Sequence, residues 1–183
     1  MEEEKKMIQQ LKHAKSKEQA FRELVRQYKE RLYWHIRRMV LCHEDADDVL
    51  QNVFIKVWNG VDGFREDSSL YTWLYRIATN ESLSFLEQRK RKSLGGYEEN
   101  MLASVEADRF FDADELQLKL QEAILQLPER QRLVFNMRYY DEMKYQDMSA
   151  ILETSEGALK ASYHLAAKKV VDYMKSCDFI DFD

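Results

Sequence analysis

LPERQRLVFNMRYYDEMKYQDMSAILETSEGALKASYHLAAKKV, residues 127–170, is the stretch that decides the fold. Its apolar residues recur at helical spacing and never alternate as a strand would. Leu133, Val134 and Met137 begin one helix, residues 145–152 form a second, and residues 157–173 form a third beyond a turn at Thr154 and Ser155. Two helices joined so tightly make a helix-turn-helix pattern. In the last helix Leu159, Tyr163, Ala166 and Val170 form the buried stripe. Gly157, Lys160, Ala161, His164 and Lys168 are left on the opposite side. That side suits a major groove: the small residues permit close approach, the lysines reach phosphate or guanine, and His164 can meet a base edge. A helical hairpin with no DNA role is the plain alternative, since short signals of this kind often arise by chance.

Working outward, Leu116, Leu120, Ile124 and Leu127 make a stripe that ends at Pro128. Residues 93–115 contain Gly95-Gly96, one basic residue against seven acids and no sustained apolar period, which is the composition of a tether. On its other side Phe21, Leu24, Val25, Tyr28, Leu32, Ile36, Met39 and Val40 recur at helical spacing. Val49, Leu50, Val53, Phe54, Val57 and Trp58 supply a second stripe, and Leu70, Trp73, Leu74, Ile77 and Ala78 a third, so three helices can share one core. Ser68 or Ser69 is placed to cap the last of them. With five glycines, one proline and no strand-like runs, the chain reads as all-α, two small helical domains joined by a flexible acidic linker. The expected boundaries are 1–92 for a helical bundle, 93–115 for the linker, 116–176 for the helix-turn-helix domain and 177–183 for an acidic tail.

The net charge of -5 conceals an uneven distribution. Basic and acidic residues number 18 and 15 over 1–92, 1 and 7 over 93–115, 9 and 8 over 116–176, and 0 and 3 in the tail. The two domains are therefore nearly neutral, and nucleic-acid binding is not excluded by the total. The acidic start MEEEKK lacks a signal peptide's basic and apolar regions, and no apolar run is long enough to cross a bilayer, so a cytoplasmic location is expected. Cys42 and Cys177 cannot form a disulfide framework, and Cys42 beside His43 supplies too few ligands for zinc. Neither a metal nor a cofactor is expected. No catalytic constellation or phosphate-cradling glycine loop stands out, and an enzyme is not expected.

Two further segments carry chemistry. In DADDVLQNVFIKVW, residues 45–58, a core-facing stripe leaves Asp48, Gln51, Asn52 and Lys56 outward on neighbouring turns. Such a face offers carboxylates and amides to a basic partner, although acids near a helix N-terminus are also what the macrodipole favours on a solvated face. In FREDSSLYTWLYRIATNESLSFLEQRKRK, residues 64–92, Phe64, Tyr71, Trp73 and Tyr75 could offer rings to unstacked bases, with Arg65, Arg76 and residues 89–92 meeting phosphates. The plainer alternative makes Trp73 and Tyr71 core residues.

In this order the three segments resemble the sigma-70 family, in its short extracytoplasmic-function branch, over residues 18–172. DADDVLQNVFIKVW resembles the core-polymerase-binding helix of region two. FREDSSLYTWLYRIATN resembles the promoter-melting and minus-10-reading segment, and the stretch at 127–164 resembles region four, the minus-35 reader. The resemblance implies a sigma factor that binds core RNA polymerase, directs it to promoters and promotes melting. By it, Asp45, Asp48, Gln51 and Asn52 contact the polymerase. Lys56, Phe64, Arg65, Tyr75, Arg76 and Asn80 surround or support a flipped base, with Tyr71 and Trp73 shaping the melting surface. Lys160, Ser162, His164 and Lys168 lie along the minus-35 groove. The implied partners are core RNA polymerase, promoter DNA as duplex and as melted non-template strand, and an anti-sigma factor of the kind that often restrains this branch.

The sequence departs from the family pattern at Ser84 and Glu87, where the family often carries Asp and Arg, at Glu153, where it commonly has Gly, and at Ser162, Leu165 and Ala167, which replace arginines common in its recognition helix. If the turn position needs a left-handed backbone, Glu153 costs on the order of 1 kcal/mol more than glycine. A helix-turn-helix regulator acting without polymerase and an RNA-binding adaptor are the rival functions; the acidic helix argues against the first, the helix-turn-helix against the second.

Overall fold

The computed structural model describes residues 2–92 and 115–177. The described residues form eight α-helices, and the chain divides into two compact units, residues 1–89 and 90–183. The expected linker falls outside the described residues except for Glu115, as does the expected tail beyond Cys177.

The first unit holds α1 (Glu2–Lys12), α2 (Lys17–Val40), α3 (His43–Gly60), a 3-10 turn (Val61–Gly63) and α4 (Leu70–Lys92). The expected three-helix core has a fourth contributor, α1, which sequence reading passed over. Acids at Glu2, Glu3 and Glu4 open it and Lys12 closes it, matching the helix dipole at both ends. Ile8 and Leu11 are buried against the unit. α2 stops because Leu41 adopts a left-handed backbone, φ 66°, while its N–H still reaches the Arg37 carbonyl at 2.9 Å. Two residues then suffice to turn the chain into α3, and α2 packs against α3 as a helical hairpin. The core is Leu24, Leu32, Ile36 and Val40 of α2, Val49, Val53 and Val57 of α3, and Leu70, Leu74 and Ala78 of α4. α4 begins where expected: the Ser69 hydroxyl accepts from the Thr72 N–H at 3.0 Å.

The second unit comprises α5 (Glu115–Leu125), α6 (Glu129–Tyr139), α7 (Tyr145–Leu152) and α8 (Glu156–Ser176). α8 is its spine, packed against each of the other three. Ala123, Ile124, Leu127, Phe135, Ala166, Val170 and Met174 form the buried cluster. Leu116, placed in the α5 stripe by its spacing, is exposed at the helix start. Ser155 caps α8 by accepting from the Ala158 N–H, and Glu153 takes φ 51° and ψ 40° in the turn, the left-handed conformation in which glutamate is costlier than glycine.

Candidate nucleic-acid and partner interface

In the first unit, α3 turns Val49, Leu50, Val53 and Val57 inward, so the positions just before Val49, Val53 and Val57, together with Gln51 on the far side, face out. Asp48, Gln51, Asn52 and Lys56 are all exposed. Asp45, at the start of the same face, is half-buried and ion-paired with Arg89 of α4. Beneath it lies the buried guanidinium of Arg37, whose pKa burial lowers against the opposing influence of Tyr33, Cys42 and Asp45. Tyr33 in turn is pushed up by burial, and its hydroxyl stands 2.6 Å from Nδ1 of His43. The N-terminus of α3 is thus fixed from below by a polar network while its outer carboxylates and amides face solvent.

The loop after α3 and the first turns of α4 carry the aromatic residues. Among these aromatics, Trp73 and Tyr71, offered as core residues in the plainer reading, are not the most buried. Tyr75 is 2 % exposed and Phe64 6 %, whereas Tyr71 and Trp73 are half-buried at the surface. Phe64 packs on Trp73 with ring centroids 4.9 Å apart. Tyr75 lies between Tyr71 at 4.4 Å and His35 at 5.0 Å, and His35 is itself buried with Nε2 2.9 Å from the Thr79 hydroxyl. The rings of Phe64 and Tyr75 therefore support the surface, and those of Tyr71 and Trp73 form part of it. Arg65 and Asn80 are exposed and Arg76 is half-buried. Lys56 reaches across from α3 to pair with Glu81, bringing the outward face of α3 beside the Asn80 turn of α4.

In the second unit Leu159, Ala166 and Val170 are buried and Tyr163 half-buried, as the stripe requires. Gly157, Lys160, Ala161, His164 and Lys168 are exposed together along α8, with Ser162 half-buried at their flank. Sequence reading missed the way α6 and α7 support this face. The ring of Tyr145, first residue of α7, has Lys160 Nζ and the Arg138 guanidinium each 5.5 Å from its centroid. Arg138 also donates to the Met143 carbonyl at 3.0 Å, closing the α6–α7 loop. At the far end of α8, the Tyr173 hydroxyl donates to Glu122 at 2.9 Å. Lys119 and Tyr173 hold the Glu122 carboxyl below its ordinary value, and Glu122 raises Tyr173. Among the described residues no helix is long and apolar enough to cross a membrane, and no cluster of His, Cys, Asp or Glu could hold a metal ion.

Family models described as sigma-70 region 2 and sigma-70, region 4 match residues 24–92 and 117–170. The chain is 32% identical over 171 residues to the ECF RNA polymerase sigma factor SigW of Bacillus subtilis, spanning 87% of this chain and 90% of that one. It is 30% identical over 162 residues to the RNA polymerase sigma-H factor of Pseudomonas aeruginosa, spanning 82% and 84%. Among solved structures, CnrH in complex with the cytosolic domain of CnrY superposes with a TM-score of 0.71 at 21% identity, covering 94% of this chain and 97% of that one. The sigma factor RpoE in complex with the anti-sigma factor NepR from Bartonella quintana does so at 0.67 and 21%, covering 85% and 96%.

Proposed function

The chain belongs to the sigma-70 family, in its extracytoplasmic-function branch, and from that premise we propose how its surfaces divide the work of transcription initiation. It is a non-enzymatic initiation factor that binds core RNA polymerase and directs it to promoters. Residues 1–92 bind polymerase and read and melt the minus-10 element, residues 116–176 read the minus-35 element, and residues 93–115 link them. Asp48, Gln51 and Asn52 make the polymerase contact, with Asp45 behind them. Arg65, Tyr71, Trp73, Arg76, Asn80 and Lys56 face the melted non-template strand, with Phe64 and Tyr75 as the buried support. Lys160, Ser162, His164 and Lys168 lie along the minus-35 groove. The protein acts in the cytoplasm, and an anti-sigma factor is proposed as a regulatory partner because a structural neighbour is described as bound to one.

The observation that carries the assignment is the α3 face, where Asp48, Gln51 and Asn52 stand exposed above a buried valine stripe. A DNA-binding regulator working alone has no use for that face beside the aromatic surface of α4. The test is co-purification of core polymerase with Asp48→Arg combined with Gln51→Ala. Charge reversal toward a basic partner lowers binding by more than tenfold, about 1.4 kcal/mol or more, with helicity unchanged. Undiminished co-purification would remove the assignment.

A further inference from the structure

The segment between α3 and α4, the 3-10 turn and residues 64–69, carries Phe64 and Arg65, and it is fastened by residues that precede the matched family region. Lys12, the last residue of α1, places Nζ 2.9 Å from Glu66 and 5.9 Å from the centroid of the Phe64 ring. Lys17, the first residue of α2, pairs with Asp62 at 2.7 Å. Glu4 of α1 accepts from the Leu70 N–H at 2.6 Å, adding a second cap to the start of α4 beside Ser69. These contacts span the segment from one end to the other. α1 is itself anchored in the core by Ile8 and Leu11, so it offers a fixed frame.

The segment needs such a frame. Glu66 holds a left-handed backbone, φ 62°, and such a conformation in a non-glycine residue persists only where its surroundings enforce it. Next to the 3-10 turn, a side chain built on Gly63 would meet nothing within 4 Å, so the outer side of the segment lacks packing there. Val61 and Phe64 anchor the inner side of the segment in the core, and on its outer side the contacts that oppose relaxation are the charged ones from Glu4, Lys12 and Lys17.

We propose that Glu4, Lys12 and Lys17 are positioning residues for base reading, making α1 and the start of α2 a strap that sets the conformation of the segment carrying Phe64 and Arg65. The inference rests on the single-strand role proposed above for that surface. Each exposed ion pair is weak in isolation, and the strap acts by restricting a short segment. Its effect therefore falls on discrimination between DNA sequences more than on polymerase binding, which uses the outer face of α3.

The test uses full-length protein assembled with core polymerase, and a single-stranded DNA pool with a randomised centre. Selection with the parent holoenzyme identifies a preferred sequence, and selectivity is its affinity relative to a scrambled pool. Lys12→Glu combined with Lys17→Glu lowers selectivity about fivefold, with polymerase binding unchanged. Glu4→Ala separates positioning from bulk charge: it makes the protein more positive, which strengthens phosphate attraction for any sequence, yet positioning requires selectivity to fall. If the double variant also loses polymerase binding, the exchange Lys12→Glu with Glu66→Lys decides, and selectivity restored toward the parent supports the strap. Parental selectivity in the double variant and in Glu4→Ala, or a charge exchange that restores nothing, overturns it. A parent holoenzyme with no sequence preference at all would instead overturn the single-strand assignment on which it rests.

Discussion

Replacing Glu153 by glycine should stabilise the helix-turn-helix unit. Glu153 closes α7 with φ 51° and ψ 40°, a conformation that places Cβ against the following carbonyl and costs an L-residue about 1–2 kcal/mol. Glycine removes that repulsion but gives the unfolded chain more freedom, which takes back about 0.5–1 kcal/mol. The net gain lies between about 0 and 1.5 kcal/mol, with a central value of about 0.75 kcal/mol. Charge complicates the comparison in a predictable way. The exposed carboxylate stands at the C-terminal end of α7, where the dipole disfavours it, and two residues before the Ser155 cap of α8, where the dipole favours it. The two effects oppose, so Glu153→Gln, which keeps the backbone constraint and removes the charge, should stay within about 0.5 kcal/mol of the parent. The backbone contribution is the difference between the glycine and glutamine variants. Hydrogen exchange of the α7 and α8 amides in the full-length protein measures it, and thermal unfolding of this small unit should rise by roughly 2–8 °C. A glycine variant no more protected than the glutamine variant would show that strain at Glu153 does not exceed the entropic offset of glycine, and would refute the cost of about 1–2 kcal/mol assigned to the turn.

Two other outcomes follow from the same geometry. Asn80→Ala should weaken permanganate reactivity of the promoter bubble without loss of stability because Asn80 is exposed, whereas Tyr75→Ala opens a void beside His35 and should destabilise the first unit by about 3–5 kcal/mol. Equal stability of the two variants would contradict the buried placement of Tyr75. The contacts of Glu122 with Lys119 and Tyr173 should make the stability of the second unit fall at both pH extremes. Glu122 is held below its ordinary pKa, so its contribution is present above the ordinary carboxylate range and lost as acid approaches the lowered value. Tyr173 is raised, so its contribution is complete below the ordinary tyrosine pKa and lost as pH climbs through the raised value. Tyr173→Phe should flatten the alkaline limb in a denaturant series run across pH; an unchanged limb would assign it to other groups.

What the sequence determined by itself is the set of properties that depend on near neighbours along the chain. The stripes Val49-Val53-Val57 and Leu159-Ala166-Val170 are buried, and their opposite faces, Asp48-Gln51-Asn52 and Lys160-His164-Lys168, are exposed, because helical periodicity decides both at once. The α4 cap, narrowed by sequence to Ser68 or Ser69 and made by Ser69, and the turn at Thr154 and Ser155 are likewise local, each governed by backbone geometry within one turn. Other features were settled only when distant helices met. Spacing put Trp73 in the core stripe, and the plainer reading added Tyr71, yet the space beside His35, on a helix some forty positions away, accepts Tyr75 instead. The family resemblance set Asp45 beside Asp48 as a contact residue, and only the approach of α4 pairs it with Arg89; the segment that carries Phe64 and Arg65 likewise meets charges at Lys12 and Lys17 that no periodicity connects to it. A helix states which of its faces is apolar, but which side chain fills a given space, and which charge is already paired, depends on the partner surface, and that surface exists only in the folded chain.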